Sequence, residues 1–122
     1  MAVIGPLAND KRNMPGTWSV AADFDKATAV LTGLNEVAGK QVKFLYAKGS
    51  NLDYDEAFED RATMFGKGIG RDKRTPEEMI NEAVAIANQS DVVLAVLGES
   101  AEMSGESSSR SNIEIPEAQR DL

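Results

Sequence analysis

The sequence predicts an α/β fold, a three-layer sandwich in which helices cover an open, mainly parallel sheet. Stretches with strand-like and helix-like apolar spacing alternate along the chain, which is typical of strand–helix–strand units. The run Val92–Leu97 is apolar at every position, as in a strand covered on both faces of a parallel sheet. A chain of 122 residues with 42% hydrophobic residues can build one domain core. We therefore expect residues 1–122 to form one unit, truncated after its third strand.

The first half of the chain predicts a strand, a helix and a second strand. Ala2–Ile4 is a short apolar strand that stops at Gly5 and Pro6. A helix follows with Asp25 as its cap and Gly39 as its end, because helical spacing relates the apolar residues Ala27, Val30, Leu31, Leu34 and Val37. The second strand spans Gln41–Ala47 and ends at Lys48 and Gly49.

Residues 50–74 predict a surface excursion with one short helical turn. It begins with an acidic cluster (Asp53, Asp55, Glu56, Glu59 and Asp60) and continues into the glycine-rich, basic Gly66–Arg71. The acidic cluster offers the carboxylate oxygens that calcium favours, but it lacks the glycine and final glutamate of a twelve-residue calcium loop. Gly66–Gly70 lacks the full glycine spacing of a phosphate-binding loop, and no Ser or Thr follows Lys67. We therefore interpret these segments as a solvated acidic face and a turn.

The second half predicts a helix, a third strand and the start of another helix. Thr75 and Glu78 suit a capping box, and Pro76 suits the first turn of that helix. Its buried face is expected to contain Met79, Ile80, Ala83, Val84 and Ala87. Asp91–Leu97 is the third strand, and a further helix begins at Pro116-Glu117. This order implies parallel strands joined by right-handed crossovers.

Ligands of open α/β sheets bind outside the carboxyl ends of the strands. Three segments should meet at that edge: Gly5–Gly16, Lys48–Asp60 and Gly98–Asn112. The last is long and polar, so it is where we expect the chemistry.

Charge and composition exclude several classes of function. With 20 acidic and 13 basic residues the chain carries a net charge of −7, which would repel nucleic acid and anionic membrane surfaces. The chain contains no cysteine and no histidine, so acid/base work falls to carboxylates, and we expect no metal and no cofactor. The apolar stretch after Met1 is too short for a signal peptide, and no basic residues precede it.

Several motifs of this chain occur in the same order, and at similar spacing, in a known protein family. Together they resemble the C-terminal domain of family 3 glycoside hydrolases, closest to the periplasmic β-glucosidase subgroup. The motifs are Val3–Ala8 with Gly16–Ser19, Asp91–Glu99, Met103–Ser111, Ile115-Pro116 and Gln119–Leu122. Residues 50–74 are least like the family pattern.

The resemblance implies a two-domain retaining β-glucosidase that acts on β-glucosides or oligosaccharides. An N-terminal barrel would supply an aspartate nucleophile, and the α/β domain would lend a loop with the general acid/base. The barrel is not part of this sequence, so we expect the isolated chain to be inactive. For the parent protein the resemblance implies a periplasmic or secreted location.

Glu106 is the predicted acid/base. The resemblance implies a loop in which the catalytic glutamate is flanked by small residues, and in this chain Gly105 and the serines flank Glu106. Ser107 and Arg110, on the same loop, are assigned to substrate binding. The rival acid is Glu99, directly after the strand, and Glu102 is weaker; either can be an ordinary loop carboxylate. Arg110 can equally form a structural ion pair.

Trp18, the only tryptophan, sits at the same edge and could stack on a sugar, but a buried anchor for the first loop is the favoured interpretation. The alternative function is a non-enzymatic, flavodoxin-like module that binds a small ligand or a protein. A truncated sheet exposes an unpaired edge, so we also expect self-association.

Overall fold

The computed structural model describes residues 1–62, 69–106 and 108–122. It contains the strands β1 (Ala2–Ile4), β2 (Leu45–Ala47) and β3 (Val93–Ala95). Its helices are α1 (Val30–Ala38), α2 (Glu56–Ala62), α3 (Pro76–Ala87) and α4 (Glu117–Arg120), with a 3-10 turn at Phe24–Lys26. In the part of the chain described, no helix combines the length and apolar character needed to span a bilayer.

The three strands form one parallel sheet in the order β2-β1-β3. Val3 in the central strand lies opposite Tyr46 on one side and Leu94 on the other. All of β1 is buried. The predicted open parallel α/β sheet is therefore confirmed; β1 has the predicted bounds, and β2 and β3 are shorter than the predicted strands.

Helix α3 packs on one face of this sheet. Ala2, Ile4 and Ala47 meet Ala83 of α3 there, and Leu122 adds to the cluster. Small side chains allow the helix to approach the strands closely. A second cluster of Leu52, Ala62 and Met103, with Leu7, Phe58 and Ile69 around it, joins the loops that follow the strands.

The start of α3 confirms the predicted capping box. Thr75 Oγ1 accepts the Glu78 N–H at 3.2 Å, and Glu78 Oε2 accepts the Thr75 N–H at 2.8 Å. Two of the first backbone donors of the helix are thereby paired.

The predicted start of the first helix is wrong. Asp23 caps the 3-10 turn instead, and α1 begins at Val30 with Ala29 at its cap position. Asp25 forms an ion pair with Lys11 at 3.0 Å, so its carboxylate is committed to the loop after β1. Gly39 ends the helix as predicted, with a φ of 54° that favours glycine.

The expectation that the third strand is covered on both faces is also wrong. β3 pairs with β1 only, among the residues described, and Val93 is 49% exposed. The strand lies at the edge of the sheet, beside an apolar groove lined by Ala83, Val84, Ala87, Val93, Ala95 and Leu97.

This groove and the β3 edge predict that the chain of residues 1–122 self-associates at high concentration, because association removes apolar surface from water. Val93→Lys should shift the chain toward monomer, since a lysine on an edge strand opposes pairing. Sedimentation velocity over a concentration series measures the effect. Val37→Lys, at an already exposed position of α1 outside the groove, is the matched control. A wild-type chain that stays monomeric throughout would contradict the prediction.

Candidate active site

The carboxyl ends of β1, β2 and β3 lie at one edge of the sheet, so the loops that follow them are neighbours. Gly5 permits this arrangement at the end of β1, with a φ of 136°. A Cβ there would lie 2.1 Å from the Val96 carbonyl oxygen, so only glycine fits. The three segments predicted to meet at this edge therefore follow strands that end together.

The loop after β3 spans residues 98–112, and its first part, residues 98–103, is called its root below. The root contacts several other segments of the domain. Ser100 Oγ donates to the Ala62 carbonyl oxygen at 3.1 Å. Met103 is buried against Leu52 and Ala62. The Gln119 side chain accepts the Gly98 N–H at 2.8 Å. These contacts join the root to the loop after β2.

The same loop is held against the loop after β1. Asn13 Oδ1 accepts the Ala101 N–H at 2.9 Å, and Thr17 Oγ1 donates to Glu102 Oε2 at 3.1 Å. Gly105 lies so close to Thr17 that a Cβ would come within 3.0 Å of its methyl group. Two loops that are distant in sequence therefore share one surface.

Glu106 lies in a turn at the tip of this loop. The Gly105 N–H donates to the Ser108 carbonyl oxygen at 2.9 Å, which closes the turn around it. The Glu106 side chain is exposed. Within residues 1–62, 69–106 and 108–122, no hydrogen bond or ion pair to its carboxylate is formed. The Glu106 carboxylate is thus accessible to a ligand at the carboxyl edge of the sheet.

The rival carboxylates are engaged within the loop. Glu99 forms an ion pair with Arg110 and accepts the Ser104 hydroxyl at 3.2 Å. Glu102 accepts the Thr17 hydroxyl. Arg110 also donates to the Glu114 carbonyl oxygen at 3.0 Å, so the ion-pair alternative for this arginine is the arrangement found.

Two predicted features lie outside the described residues. Ser107, assigned to substrate binding, is one, and most of the glycine-rich Gly66–Gly70 is the other, because residues 63–68 are not described.

The favoured interpretation of Trp18 as a buried anchor is wrong. Its side chain is 69% exposed. The neighbouring Ser19 folds back onto the Pro15 carbonyl oxygen, which forms a tight local turn without burying the indole. The ring therefore stands at the surface beside Thr17, which touches the loop of Glu106.

A buried ion pair organises the excursion after β2, and sequence reasoning missed it. Glu59 of α2 pairs with Arg71, which also donates to the main-chain oxygens of Asp53 and Tyr54. Burial raises the pKa of Glu59, and Arg71 opposes that shift. Burial lowers the pKa of the nearby Lys48, which donates to Asn51 Oδ1 at 3.1 Å. Glu59 was predicted to be solvated because its partner lies 12 residues away, at the end of the glycine-rich segment.

Among the residues described, clefts adjoin these loops, and two of them involve the loop after β2. One of about 310 Å³ lies between the loops after β1 and β2 and is lined by Asn9, Arg12, Tyr46 and Lys48 among others. The other, of about 350 Å³, lies between the excursion and α3, with Ser50, Tyr54 and Met79 in its wall. Both clefts are open, and both have charged and amide side chains in their walls.

Comparison with known proteins gives a consistent result. The model of the glycosyl hydrolase family 3 C-terminal domain matches residues 1–122. A periplasmic beta-glucosidase of Salmonella typhimurium is 45% identical over 122 residues, covering all of this chain and 16% of that protein. A beta-xylosidase of Formosa agariphila is 30% identical over 126 residues, with 100% and 15% covered. A lysosomal beta glucosidase of Dictyostelium discoideum is 34% identical over 102 residues, with 78% and 10% covered. The chain thus spans about a sixth of the length of the first relative.

The Glu59–Arg71 pair predicts that Arg71→Met is strongly destabilising, since it removes the cation that contacts the buried Glu59 carboxylate. We expect a loss of about 2 kcal/mol in the free energy of unfolding, less than for a fully buried pair because Arg71 is partly exposed. Arg74→Met is the matched control: it breaks more exposed pairs with Asp72 and Glu82 and should cost clearly less than Arg71→Met. Denaturant titration measures both.

The same variant should show a pH dependence. A raised pKa means that the folded protein holds the Glu59 proton more tightly than the unfolded chain, so this group's contribution to stability falls as pH rises above its ordinary pKa. Removing Arg71 raises the pKa further. The penalty of Arg71→Met should therefore be small near about pH 4 and larger near about pH 7. An equal penalty at both pH values would show that the cost of the variant does not come from the charge of Glu59.

Proposed function

Because this chain belongs to glycosyl hydrolase family 3, as part of its C-terminal domain, we propose that its parent is a retaining β-glucosidase-like enzyme. The parent removes terminal β-linked glucose-like residues from oligosaccharides or β-glucosides. The α/β domain lends residues 98–112 to an active site whose other wall is an N-terminal barrel. A periplasmic or secreted location is part of the proposal, since the Salmonella typhimurium relative is named periplasmic.

The proposed chemistry needs two carboxyl groups about 5 Å apart. An aspartate of the barrel attacks the anomeric carbon while Glu106 gives its proton to the leaving glycosidic oxygen. Glu106, now a carboxylate, then takes a proton from the water that attacks the same carbon and releases the aspartate. One residue thus serves as acid and then as base.

One structural observation supports the choice of Glu106: among the described residues its exposed carboxylate forms no side-chain bond, while Glu99, which is also exposed, and Glu102 are bonded to other side chains. A proton donor that acts on a sugar held by another domain must project from its own domain. Ion pairing of Glu99 with Arg110 favours a structural role for that carboxylate.

Ser107 and Arg110 remain proposed substrate-binding residues. Arg110 uses its two terminal nitrogens for Glu99 and the Glu114 carbonyl oxygen, and a guanidinium has five N–H donors, so donors are left for a sugar hydroxyl. The exposed face of Trp18 is an additional platform on which a sugar ring could stack. The relatives are named as glycosidases, which favours the hydrolase over the non-enzymatic binding module.

Glu106→Gln in the intact protein should lower hydrolysis of β-glucosides with poor leaving groups by roughly 10²- to 10⁴-fold, because the leaving oxygen loses its proton donor. A dinitrophenyl glucoside, whose leaving group needs no proton, should still react in the first step. It should give a burst of dinitrophenolate followed by slow turnover, since the second step lacks its base. Stopped-flow absorbance distinguishes the two steps.

Glu99→Gln is the comparison variant, with the same change of charge on the same loop. It should retain the wild-type preference between the two leaving groups. If Glu99→Gln shows the burst and Glu106→Gln turns over like wild type, the acid is Glu99.

The isolated chain of residues 1–122 should release no detectable glucose from a β-glucoside, because it offers one of the two carboxyl groups that retention requires. A coupled glucose assay at high protein concentration measures this. Turnover that persists after repeated purification, and disappears in Glu106→Gln, would mean that the nucleophile lies within these residues.

A further inference from the structure

The side-chain amide of Gln119, in α4, is buried beneath the root of the loop that carries Glu106. Gln119 is 1% exposed. Its Oε1 accepts the Gly98 N–H at 2.8 Å, and its Nε2 donates to the Gly98 carbonyl oxygen at 2.8 Å and to the Leu52 carbonyl oxygen at 3.0 Å. The amide therefore bonds both main-chain polar groups of Gly98 and one main-chain group of the neighbouring loop.

Binding Gly98 through both its N–H and its C=O fixes the two peptide planes that flank its Cα. Gly98 has a φ of 147°, which side-chain-bearing residues rarely adopt. Gly98 lies three residues after the end of β3, where the 98–112 loop begins. A change in these two planes would change the direction in which residues 99–106 project.

A second contact couples the same two loops. Leu52, whose carbonyl oxygen accepts from Gln119, packs its buried side chain against Met103 of the 98–112 loop. The polar contact at Gly98 and the apolar contact at Met103 thus join the loops after β2 and β3 at two points. Between Met103 and Glu106 only two residues intervene, so little chain is left to absorb a shift of the root.

We propose that Gln119 is a positioning residue for the proton donor: its amide sets the direction of the 98–112 loop and so the place of the Glu106 carboxyl. This inference rests on the proposed function of Glu106. A general acid must come within about 2.6 to 3.2 Å of the oxygen that it protonates, so a small displacement of the root weakens proton transfer. Gln119 itself lies buried beneath the loop and does not contact substrate.

The test is Gln119→Met in the intact protein, which keeps the side-chain length but removes all three hydrogen bonds. We expect kcat on a β-glucoside with a poor leaving group to fall. The rate of the first step on a dinitrophenyl glucoside should fall less, by a factor of at least about ten. KM should change little. Gln89→Met is the matched control, because that amide is exposed and makes one contact, with the Ala85 carbonyl oxygen of α3.

A merely structural role would lower the folded fraction and reduce both activities equally, so the ratio of the two rates is the deciding measurement. An unchanged ratio overturns the proposal. Gln119→Asn, which is polar but one methylene shorter, provides a milder variant should the methionine variant be unstable, and the same direction is expected.

The double variant Gln119→Met, Glu106→Gln separates this inference from the function on which it rests. If Gln119 acts through Glu106, the methionine should cause no further loss on the poor substrate once the acid is gone. Additive losses overturn the positioning role while leaving Glu106 as the acid. Wild-type turnover of the single Glu106→Gln variant overturns the proposed function and the positioning role with it.

Discussion

The loops at the carboxyl edge of the sheet depend on side chains that pair their main-chain polar groups. Strands of three residues supply few ladder hydrogen bonds, and buried N–H and C=O groups without partners are costly. Asn13, Asn51 and Gln119 each reach across to the main chain of a distant segment. The candidate site therefore keeps its shape through bonds from amide side chains to the backbone.

The excursion after β2 follows the same rule with charged groups. Arg71 binds the Glu59 carboxylate and two main-chain oxygens, and Asn51 is bonded to the backbone of Asp72 at both ends of its amide. These contacts lie within the chain itself. The described parts of the excursion, on either side of residues 63–68, are thus joined to each other by these side chains.

The features that sequence predicted well are those whose cause is local. The capping box depends on Thr75 and Glu78, and the order of elements depends on apolar spacing within each segment. The predicted cap Asp25 failed because its carboxylate pairs with Lys11, fourteen residues earlier. Trp18 and β3 were misjudged because burial depends on what packs around a residue, which periodicity does not record.

In the candidate site, too, features with a local cause could be predicted from sequence, and features with distant partners could not. Its edge followed from the parallel order of the strands, and the choice of Glu106 followed from the family resemblance together with the loop that carries it. Gln119 had no such signal, since its partners lie 21 and 67 residues away in sequence. A glutamine one turn into a short helix looks like an ordinary surface residue until the loops above it are placed.

The 98–112 loop combines an apolar root with a polar tip, and the two halves meet different demands. The root contains the buried side chain of Met103 and is bonded to the buried amide of Gln119. Its position is therefore determined by the domain core. The tip, from Ser104 to Ser109, has no large apolar side chain to bury, and a glutamate there stays exposed. The role proposed for Glu106, protonation of a sugar bound to another domain, requires both properties. A buried tip could not reach the sugar, and a loose root would spread the carboxyl over many positions in which proton transfer does not occur.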